Sequence, residues 1–263
     1  MSPDSMNSTP TRVTRSGSHS GTATAGRLAR AQGAGDDTGI DHLRGVLDPG
    51  CCAAWCACIG PGGPPTAARR LRDVPALDMA SIWNAVGAML GPACEQRLGM
   101  PLLCDLDECW LRCQGGPALA AHGWHQDGAL RHDFIAEPEA DGALLNMLTC
   151  WIALTPCGAD APGLELLARR LPALVPAAQL ADVADRHPPE DFLRPELAIG
   201  DVLVFGGDTL HRTHVTPTMT AQRISLELRL FPAPALPPRL RGDRAVLLPQ
   251  AASRARMPSI TAL

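Results

Sequence analysis

The sequence predicts an α+β protein, mainly β, in which helices come first and a mostly antiparallel double sheet follows. Two observations support this: apolar residues recur at helical spacing over residues 78–90, and short apolar runs separated by turn residues begin near Leu102. The chain has 263 residues, enough for one sizeable domain. We therefore expect one domain over residues 36–236, between a disordered tail (1–35) and an irregular C-terminal extension (237–263).

The two ends of the chain differ from the core in composition. Residues 1–35 contain almost no large apolar side chains, so they cannot bury enough surface to offset their ordering entropy. The end of the chain is rich in Pro and Arg, with one short strand predicted at 245–248. No apolar secretory core follows the N-terminal arginines, which indicates a cytoplasmic protein without a signal peptide. A net charge of -4 argues against nucleic-acid binding, and no long apolar run predicts a membrane span.

Helices are predicted in the first part of the domain. Residues 41–59 read as helical, and Pro49 suggests a new helix start. Residues 78–90 form an amphipathic helix with Asp78 as N-cap and Gly91-Pro92 as the stop. The apolar face of this helix consists of Met79, Ile82, Trp83, Val86 and Leu90.

Strands are predicted in the rest of the domain, at 109–114, 123–128, 144–154, 164–168, 201–205 and 223–231. Two long inserts, 129–142 and 171–195, interrupt them, and inserts of this size are typical of lids or binding loops. Arg131, His132 and Phe134 in the first insert are candidates for touching a substrate. Trp110 and Trp124 read as core residues.

The ten cysteines include a cluster at Cys51, Cys52, Cys56 and Cys58. The chain contains no Cys-x-x-Cys pair, which structural zinc sites usually supply, and no export signal that would favour disulfides. We interpret these residues as free thiols that pack as small hydrophobic side chains.

His125 and Asp127, in the run Gly123-Trp124-His125-Gln126-Asp127-Gly128, are the most informative residues. Residues two apart on a strand project to the same face, roughly 6.6 Å apart along the backbone. Together with a second imidazole from a distant strand they would form a 2-His-1-carboxylate triad, the arrangement of non-haem Fe(II) oxygenases.

The second histidine is predicted to follow the buried strand at 201–205. His211 and His214 both come after the turn Gly206-Gly207-Asp208, and in an extended segment they face opposite sides. From spacing alone either could reach the metal. His122 lies three residues before His125, and so is predicted on the other strand face.

A strand with strict alternation begins at Arg223. Arg223, Ser225, Glu227 and Arg229 share one face, and Ile224 with three leucines forms the other. The polar face could simply face water. Alternatively Arg223 and Ser225 face a cavity, where the planar guanidinium fork and the hydroxyl would hold a carboxylate.

These motifs together resemble the phytanoyl-CoA dioxygenase-like superfamily of Fe(II)/2-oxoglutarate dioxygenases. The resemblance covers the core from about Gly39 to Phe231: Trp124-His125-Gln126-Asp127-Gly128, Leu148-Thr149-Cys150-Trp151-Ile152-Ala153-Leu154, Gly200-Asp201-Val202-Leu203-Val204-Phe205 with Thr209-Leu210-His211, and Arg223-x-Ser225. It implies a double-stranded β-helix (jelly roll) buttressed by N-terminal helices.

The resemblance also implies the site. It selects His211 over His214, so that His125, Asp127 and His211 hold Fe(II), and it assigns the far carboxylate of 2-oxoglutarate to Arg223 and Ser225. It suggests Thr149 as a further co-substrate contact, although a strand threonine can equally be plain packing. Many relatives carry Pro-Gly-Ser-His after the Gly-Leu-Glu-Leu strand. This chain has Ala168-Arg169-Arg170-Leu171 there, which argues against phytanoyl-CoA as the substrate. The two arginines could recognise an acidic or phosphorylated group, or they could be ordinary surface residues.

The expected activity is oxidation of an unactivated C–H bond of a small molecule, in secondary metabolism, using O2 and 2-oxoglutarate and releasing succinate and CO2. The carboxylate of Asp127 favours hydroxylation over halogenation, because related halogenases have a small residue there. Two alternatives stay open: a zinc hydrolase using His122, His125, Asp127 and His211, and a non-catalytic metal-binding jelly-roll protein.

Overall fold

The computed structural model describes residues 38–59, 66–99, 101–116, 121–129, 144–171, 173–235 and 245–250. Two antiparallel sheets form the fold. The eight-stranded sheet contains β1 (Ile40–Leu43), β2 (Thr66–Arg70), β3 (Leu102–Asp105), β4 (Trp110–Gln114), β6 (Leu148–Ala153), β9 (Val202–Gly206), β11 (Arg223–Pro232) and β12 (Ala245–Leu247). The four-stranded sheet contains β5 (His125–Gln126), β7 (Gly163–Arg170), β8 (Phe192–Leu193) and β10 (Thr209–His214).

The strand order follows a jelly-roll pattern. The large sheet runs β1-β9-β6-β11-β3-β12, with β4 pairing the first half of β11 and β2 pairing β4, while the small sheet runs β5-β10-β7-β8. The mainly β, jelly-roll fold predicted from the sequence is confirmed, as is the short strand predicted near residue 245. The domain limits stay a prediction, because residues 1–37, 236–244 and 251–263 lie outside the described part.

Strict alternation explains how the core is divided. In β6, β9 and β11 the even-numbered residues, such as Ile152, Val204 and Leu228, pack with the helices in one large apolar cluster. The odd-numbered Trp151, Leu203 and Phe205 pack with the small sheet instead. The space between the sheets, which these odd-numbered faces line, therefore contains the candidate site.

In the described ranges three helices accompany the sheets: α1 (Pro49–Cys56), α2 (Met79–Leu98) and α3 (Leu180–Asp185). The start of α1 at Pro49 and the N-cap of α2 at Asp78 are confirmed, and the Asp78 carboxylate accepts a hydrogen bond from the Ser81 amide at 2.9 Å. None of the described helices is long and apolar enough to cross a bilayer.

The predicted end of α2 at Gly91-Pro92 is wrong, because the helix continues to Leu98. A proline inside a helix removes one backbone hydrogen bond and disturbs the preceding turn. Here Leu90 and Cys94, on either side of Pro92, are both fully buried in the main core. Tertiary packing therefore keeps the chain helical across the proline.

The helical reading of residues 41–43 is also wrong. These residues belong to β1, which pairs antiparallel with β9 in the register Asp41↔Val204. β2 and β3 were not predicted either. Each of these strands is only four or five residues long, so periodicity carries little information there.

The described residues of the insert 171–195 lie away from the cavity, and its role as a lid or binding loop stays a prediction. Its described residues include α3 and β8, and Leu180 and Phe192 pack with Leu167 and Leu210 in a separate small cluster. None of them lines the cavity between the sheets. The other proposed lid, 129–142, lies outside the described residues except for the buried Ala129, and so do Arg131, His132 and Phe134.

Candidate metal centre and co-substrate pocket

Adjacent strands of the small sheet bring the two histidines together. His125 on β5 and His211 on β10 are direct partners in the antiparallel register. Asp127 is not on the strand but opens a short 3-10 turn after it. That turn is tightly seated: the Gly128 amide donates to the Gly207 carbonyl at 2.8 Å, and a Cβ at position 128 would lie 2.8 Å from the same oxygen.

The three side chains converge on one point. The Asp127 carboxylate lies 3.7 Å from His125 Nε2 through Oδ1 and 3.6 Å from His211 Nε2 through Oδ2. One possible ligand atom from each residue lies within 4.8 Å of the other two. His214, the other candidate from spacing, is not part of this group. The geometry therefore brings together the three residues that the sequence singled out.

Backbone carbonyls set the orientation of both imidazoles. The Nδ1 atom of His125 lies 2.7 Å from the Gly123 carbonyl, and Nδ1 of His211 lies 3.0 Å from the Thr209 carbonyl. Since a carbonyl can only accept, each ring carries its proton on Nδ1 and presents a lone pair on Nε2. A hydrogen bond donated by the ring nitrogen that does not bind the metal typically orients a metal-binding histidine.

The protonation states suit a metal centre. Burial lowers the pKa of His125 to about 3, assisted by His211, and burial also lowers the pKa of His211. Burial would raise the pKa of Asp127, but the positive charge of Arg229, the neighbouring imidazoles and the hydrogen bond from Thr149 outweigh it and hold that pKa below its usual value. At neutral pH the site thus offers two neutral imidazoles and one carboxylate, the forms that bind metal ions.

Two side chains from the large sheet hold the Asp127 carboxylate. The Thr149 hydroxyl donates to Oδ2 at 2.5 Å, and Arg229 Nη2 donates to Oδ1 at 2.8 Å. Thr149, expected from the resemblance to contact the co-substrate, is therefore placed against the candidate metal ligand. Arg229 was not singled out as a site residue, although its place in the alternation of β11 was visible.

The polar face of β11 points inward. Arg223, Ser225, Glu227 and Arg229 are all at most 5% exposed, so the alternative of a water-facing strand is wrong. It fails because α1 and α2 cover the leucine face, which leaves the inter-sheet space for the polar face.

Arg223 is a buried cation with unused hydrogen-bonding capacity. Nη1 donates to the Gly163 carbonyl at 2.9 Å, and the guanidinium carbon lies 5.0 Å from the ring centre of Trp151. Its Nε and the neighbouring Ser225 hydroxyl are both buried without a hydrogen-bond partner among the described residues. Burial lowers the pKa of Arg223. Each buried donor without a partner calls for an explanation, and a bound ligand, ion or water supplies one.

One narrow cavity connects the parts of the site. Arg223 and the three candidate metal ligands line it, together with Arg112, His122, Trp151, Leu164, Thr213, Glu227 and Arg229. The sequence reading missed Arg112 and Glu227. Glu227 is buried and bonded by Arg112 through both carboxylate oxygens, at 2.9 and 3.3 Å.

His122 is placed differently from the prediction. It lies on the cavity side, with its ring edge-on to that of His125 at a centroid distance of 4.0 Å. Strand β5 begins only at His125, so the two-residue period does not extend back to position 122. The residue as a whole is exposed, but loss of hydration on its cavity side, together with the nearby His125, lowers the pKa of His122.

Several other candidates lie away from the cavity. Arg170 Nε donates to Asp208 at 2.6 Å, and the Arg169 guanidinium is 3.9 Å from Asp191. Neither arginine lines the cavity, which favours the reading as surface residues. Trp124 is partly buried and stacks against Arg212, with 4.4 Å between the guanidinium carbon and the ring centre. Cys52, from the N-terminal cluster, packs in the main core.

Comparison with solved structures gives several related folds. The non-haem α-ketoglutarate-dependent epimerase SnoN from nogalamycin biosynthesis is 17% identical, with a TM-score of 0.52 over 83% of this chain and 94% of SnoN. HygX from Streptomyces hygroscopicus, solved with nickel and 2-oxoglutarate, is 18% identical, with a TM-score of 0.53 over 81% of this chain and 94% of HygX. EctD from S. alaskensis, solved with 2-oxoglutarate and 5-hydroxyectoine, is 17% identical, with a TM-score of 0.55 over 75% of this chain and 73% of EctD.

At this level of identity the likeness shows the fold. No protein-family model matches the chain, and no curated protein matches it. The argument for function therefore depends on the residues of the site.

Proposed function

We propose that this protein is an Fe(II)- and 2-oxoglutarate-dependent oxygenase of the phytanoyl-CoA dioxygenase-like superfamily. The observation that carries the proposal is the pairing of two features in one cavity. A 2-His-1-carboxylate group lines the same cavity as a buried arginine whose Nε has no hydrogen-bond partner in the described part of the chain. The first feature alone would suit several metals, and the second adds a requirement for an anion.

The donor set fits iron. His125 and His211 would each bind through Nε2, and Asp127 would bind through one carboxylate oxygen. Two imidazoles and one carboxylate with open positions are typical of non-haem Fe(II) oxygenases. Thr149 and Arg229 would keep the carboxylate oriented.

The co-substrate fits the remaining donors. Arg223 and Ser225 would bind the far carboxylate of 2-oxoglutarate, since their free donors are buried beside the metal group. Trp151 under the guanidinium would limit its rotation. The bound EctD and HygX structures, which contain 2-oxoglutarate, support this choice of anion.

When bound, iron and 2-oxoglutarate would supply O2 activation and oxidative decarboxylation to succinate and CO2, the chemistry needed to attack an unactivated C–H bond. The protein would orient the co-substrate through Arg223. It would also keep both imidazoles neutral and hold the substrate in the mouth of the cavity. No general base is required of any side chain.

The cavity walls favour a small polar substrate. Among its described lining residues only Trp151 and Leu164 are apolar. Arg112, His122 and Thr213 offer polar contacts near the candidate metal ligands. We propose a small molecule of secondary metabolism, oxidised by hydroxylation or a related reaction, rather than a long acyl chain.

The decisive experiment is an anaerobic titration of the Fe(II)-loaded protein with 2-oxoglutarate. We expect a charge-transfer absorption band that grows to saturation, and succinate release once O2 is admitted. His211→Ala should abolish both signals. His214→Ala is the matched control on the same strand and should keep them.

The alternatives give different results in the same experiment. A zinc hydrolase would bind zinc and ignore 2-oxoglutarate. A non-catalytic metal-binding protein would form the absorption band and release no succinate with any substrate tested. Either outcome refutes the oxygenase proposal.

A further inference from the structure

A chain of buried charges continues beyond the candidate metal ligands. Arg229 Nη2 lies 2.8 Å from Asp127 Oδ1 and 3.6 Å from Glu227 Oε2. Glu227 in turn is bonded by Arg112. Glu227 and Arg229 are neighbours on the inward face of β11 and are both 5% exposed. The guanidinium is therefore shared between a carboxylate of its own strand and the carboxylate of the candidate centre.

The Asp127 carboxylate is held at both oxygens. Arg229 bonds Oδ1, and Thr149 bonds Oδ2. Rotation of the carboxylate about its Cβ–Cγ bond would break one or both of these bonds. Since the oxygens face different histidines, Oδ1 toward His125 and Oδ2 toward His211, this clamp sets how the carboxylate is presented to both.

Burial makes the clamp energetically important. Arg229 has two further nitrogens, Nε and Nη1, that are buried without a partner among the described residues. A guanidinium buried at this cost is expected to have a specific geometric role. Without it, Asp127 and Glu227 would be two buried carboxylates that share no cation.

We infer that Arg229 is a positioning residue of the metal centre: it fixes the Asp127 carboxylate so that the ion is bound by one oxygen in a set orientation. The inference rests on the proposed function only in requiring that His125, Asp127 and His211 bind a divalent metal. Outer-shell partners of metal ligands typically change metal affinity by 10–100-fold when they are lost.

The test is anaerobic titration of the metal-free protein with Co(II), followed by its visible absorption, in the wild type and in Arg229→Gln and Arg229→Lys. We expect Arg229→Gln to raise the Co(II) dissociation constant by about 10–100-fold and to change the shape of the absorption band. Arg229→Lys, which keeps the charge but not the planar fork, should recover only part of the affinity. Arg170→Gln removes an arginine outside the cavity and should match the wild type.

The outcomes separate the two proposals. Wild-type protein that binds no Co(II) refutes the proposed function together with this inference. Wild-type binding that is equalled or exceeded by Arg229→Gln refutes the positioning role alone, because the guanidinium would then only repel the ion. Circular dichroism checks folding. If Arg229→Gln does not fold, Arg229→Lys decides: an unchanged dissociation constant and an unchanged band overturn the inference.

Discussion

Replacing Arg223 with methionine tests whether this arginine binds a ligand or only stabilises the fold. Arg223 is 1% exposed, and its one side-chain hydrogen bond among the described residues goes to the Gly163 carbonyl. Methionine keeps much of the volume and removes the charge and the donors. If the guanidinium is there to bind 2-oxoglutarate, the substitution should affect the ligand much more than the fold.

The expected magnitudes follow from the contacts. A buried charged pair that loses one partner typically costs about 2–5 kcal/mol. At about 3 kcal/mol, with 1.4 kcal/mol for each factor of ten, the dissociation constant of 2-oxoglutarate should rise about 100-fold. The free energy of unfolding of the ligand-free protein should change by less than about 1 kcal/mol, because relief from burying an unpaired cation offsets the single lost hydrogen bond.

Calorimetric titration with 2-oxoglutarate, in protein loaded with Ni(II) to prevent turnover, measures the first quantity. Urea unfolding of the ligand-free protein measures the second. Arg170→Met, at an exposed arginine outside the cavity, is the control for loss of one positive charge. Unchanged 2-oxoglutarate affinity in Arg223→Met would refute the assignment. A loss of more than about 3 kcal/mol of stability would show that the arginine is paired structurally.

Three further predictions concern the histidines and Gln126, which lies between His125 and Asp127. His211→Ala should reduce Co(II) affinity at least tenfold in a titration, whereas His214→Ala should leave it within a factor of two; equal losses would contradict the choice between them. Gln126→Leu should lower the free energy of unfolding by about 2–3 kcal/mol in urea, because the carbonyls of Leu171, Ala173 and Asp208 and the Val175 amide would all lose the hydrogen bond of the Gln126 side chain; an unchanged value would contradict this. Since burial lowers the pKa of His125 to about 3, from 6.5, its contribution to stability is complete above pH 6.5 and is lost as the pH falls below it. We expect metal-free protein to lose up to about 1.4 kcal/mol per pH unit for this imidazole between pH 6.5 and 5, and a flat profile would show that the ring protonates freely.

The parts of the fold that the sequence predicted are those where local chemistry and packing agree. Asp78 is a good N-cap that precedes a full apolar stripe, so the start of α2 was readable. The end of α2 was not, because Pro92 is a strong local stop signal and the packing that overrides it comes from strands far away in sequence. The same holds for β1, whose four residues gain their conformation from pairing with β9.

The candidate site shows a similar division. His125 and Asp127 were identified by their spacing, yet Asp127 lies in a turn, and the spacing works because that turn is seated against Gly207. Periodicity placed His122 on the wrong side, because the strand begins only at His125. Arg112 and Glu227 have no motif of their own, and only the tertiary structure shows that they pair.

Strand β11 shows most clearly what alternation can and cannot establish. The two-residue period divides Arg223, Ser225, Glu227 and Arg229 from the leucines without ambiguity, but it is symmetric with respect to inside and outside. What decides the direction is the amphipathic α2, whose apolar face can be buried only against the leucine face of a sheet. Once that face is covered, the four polar side chains must enter the space between the sheets.

The burial of these polar side chains is tolerable only where carboxylates, carbonyls or a bound anion contact them. Glu227 and Arg229 Nη2 find charged partners within the protein, whereas Arg223 bonds only the Gly163 carbonyl and the Ser225 hydroxyl has no partner among the described residues. The end of β11 that begins at Arg223 is therefore where a bound ligand is required.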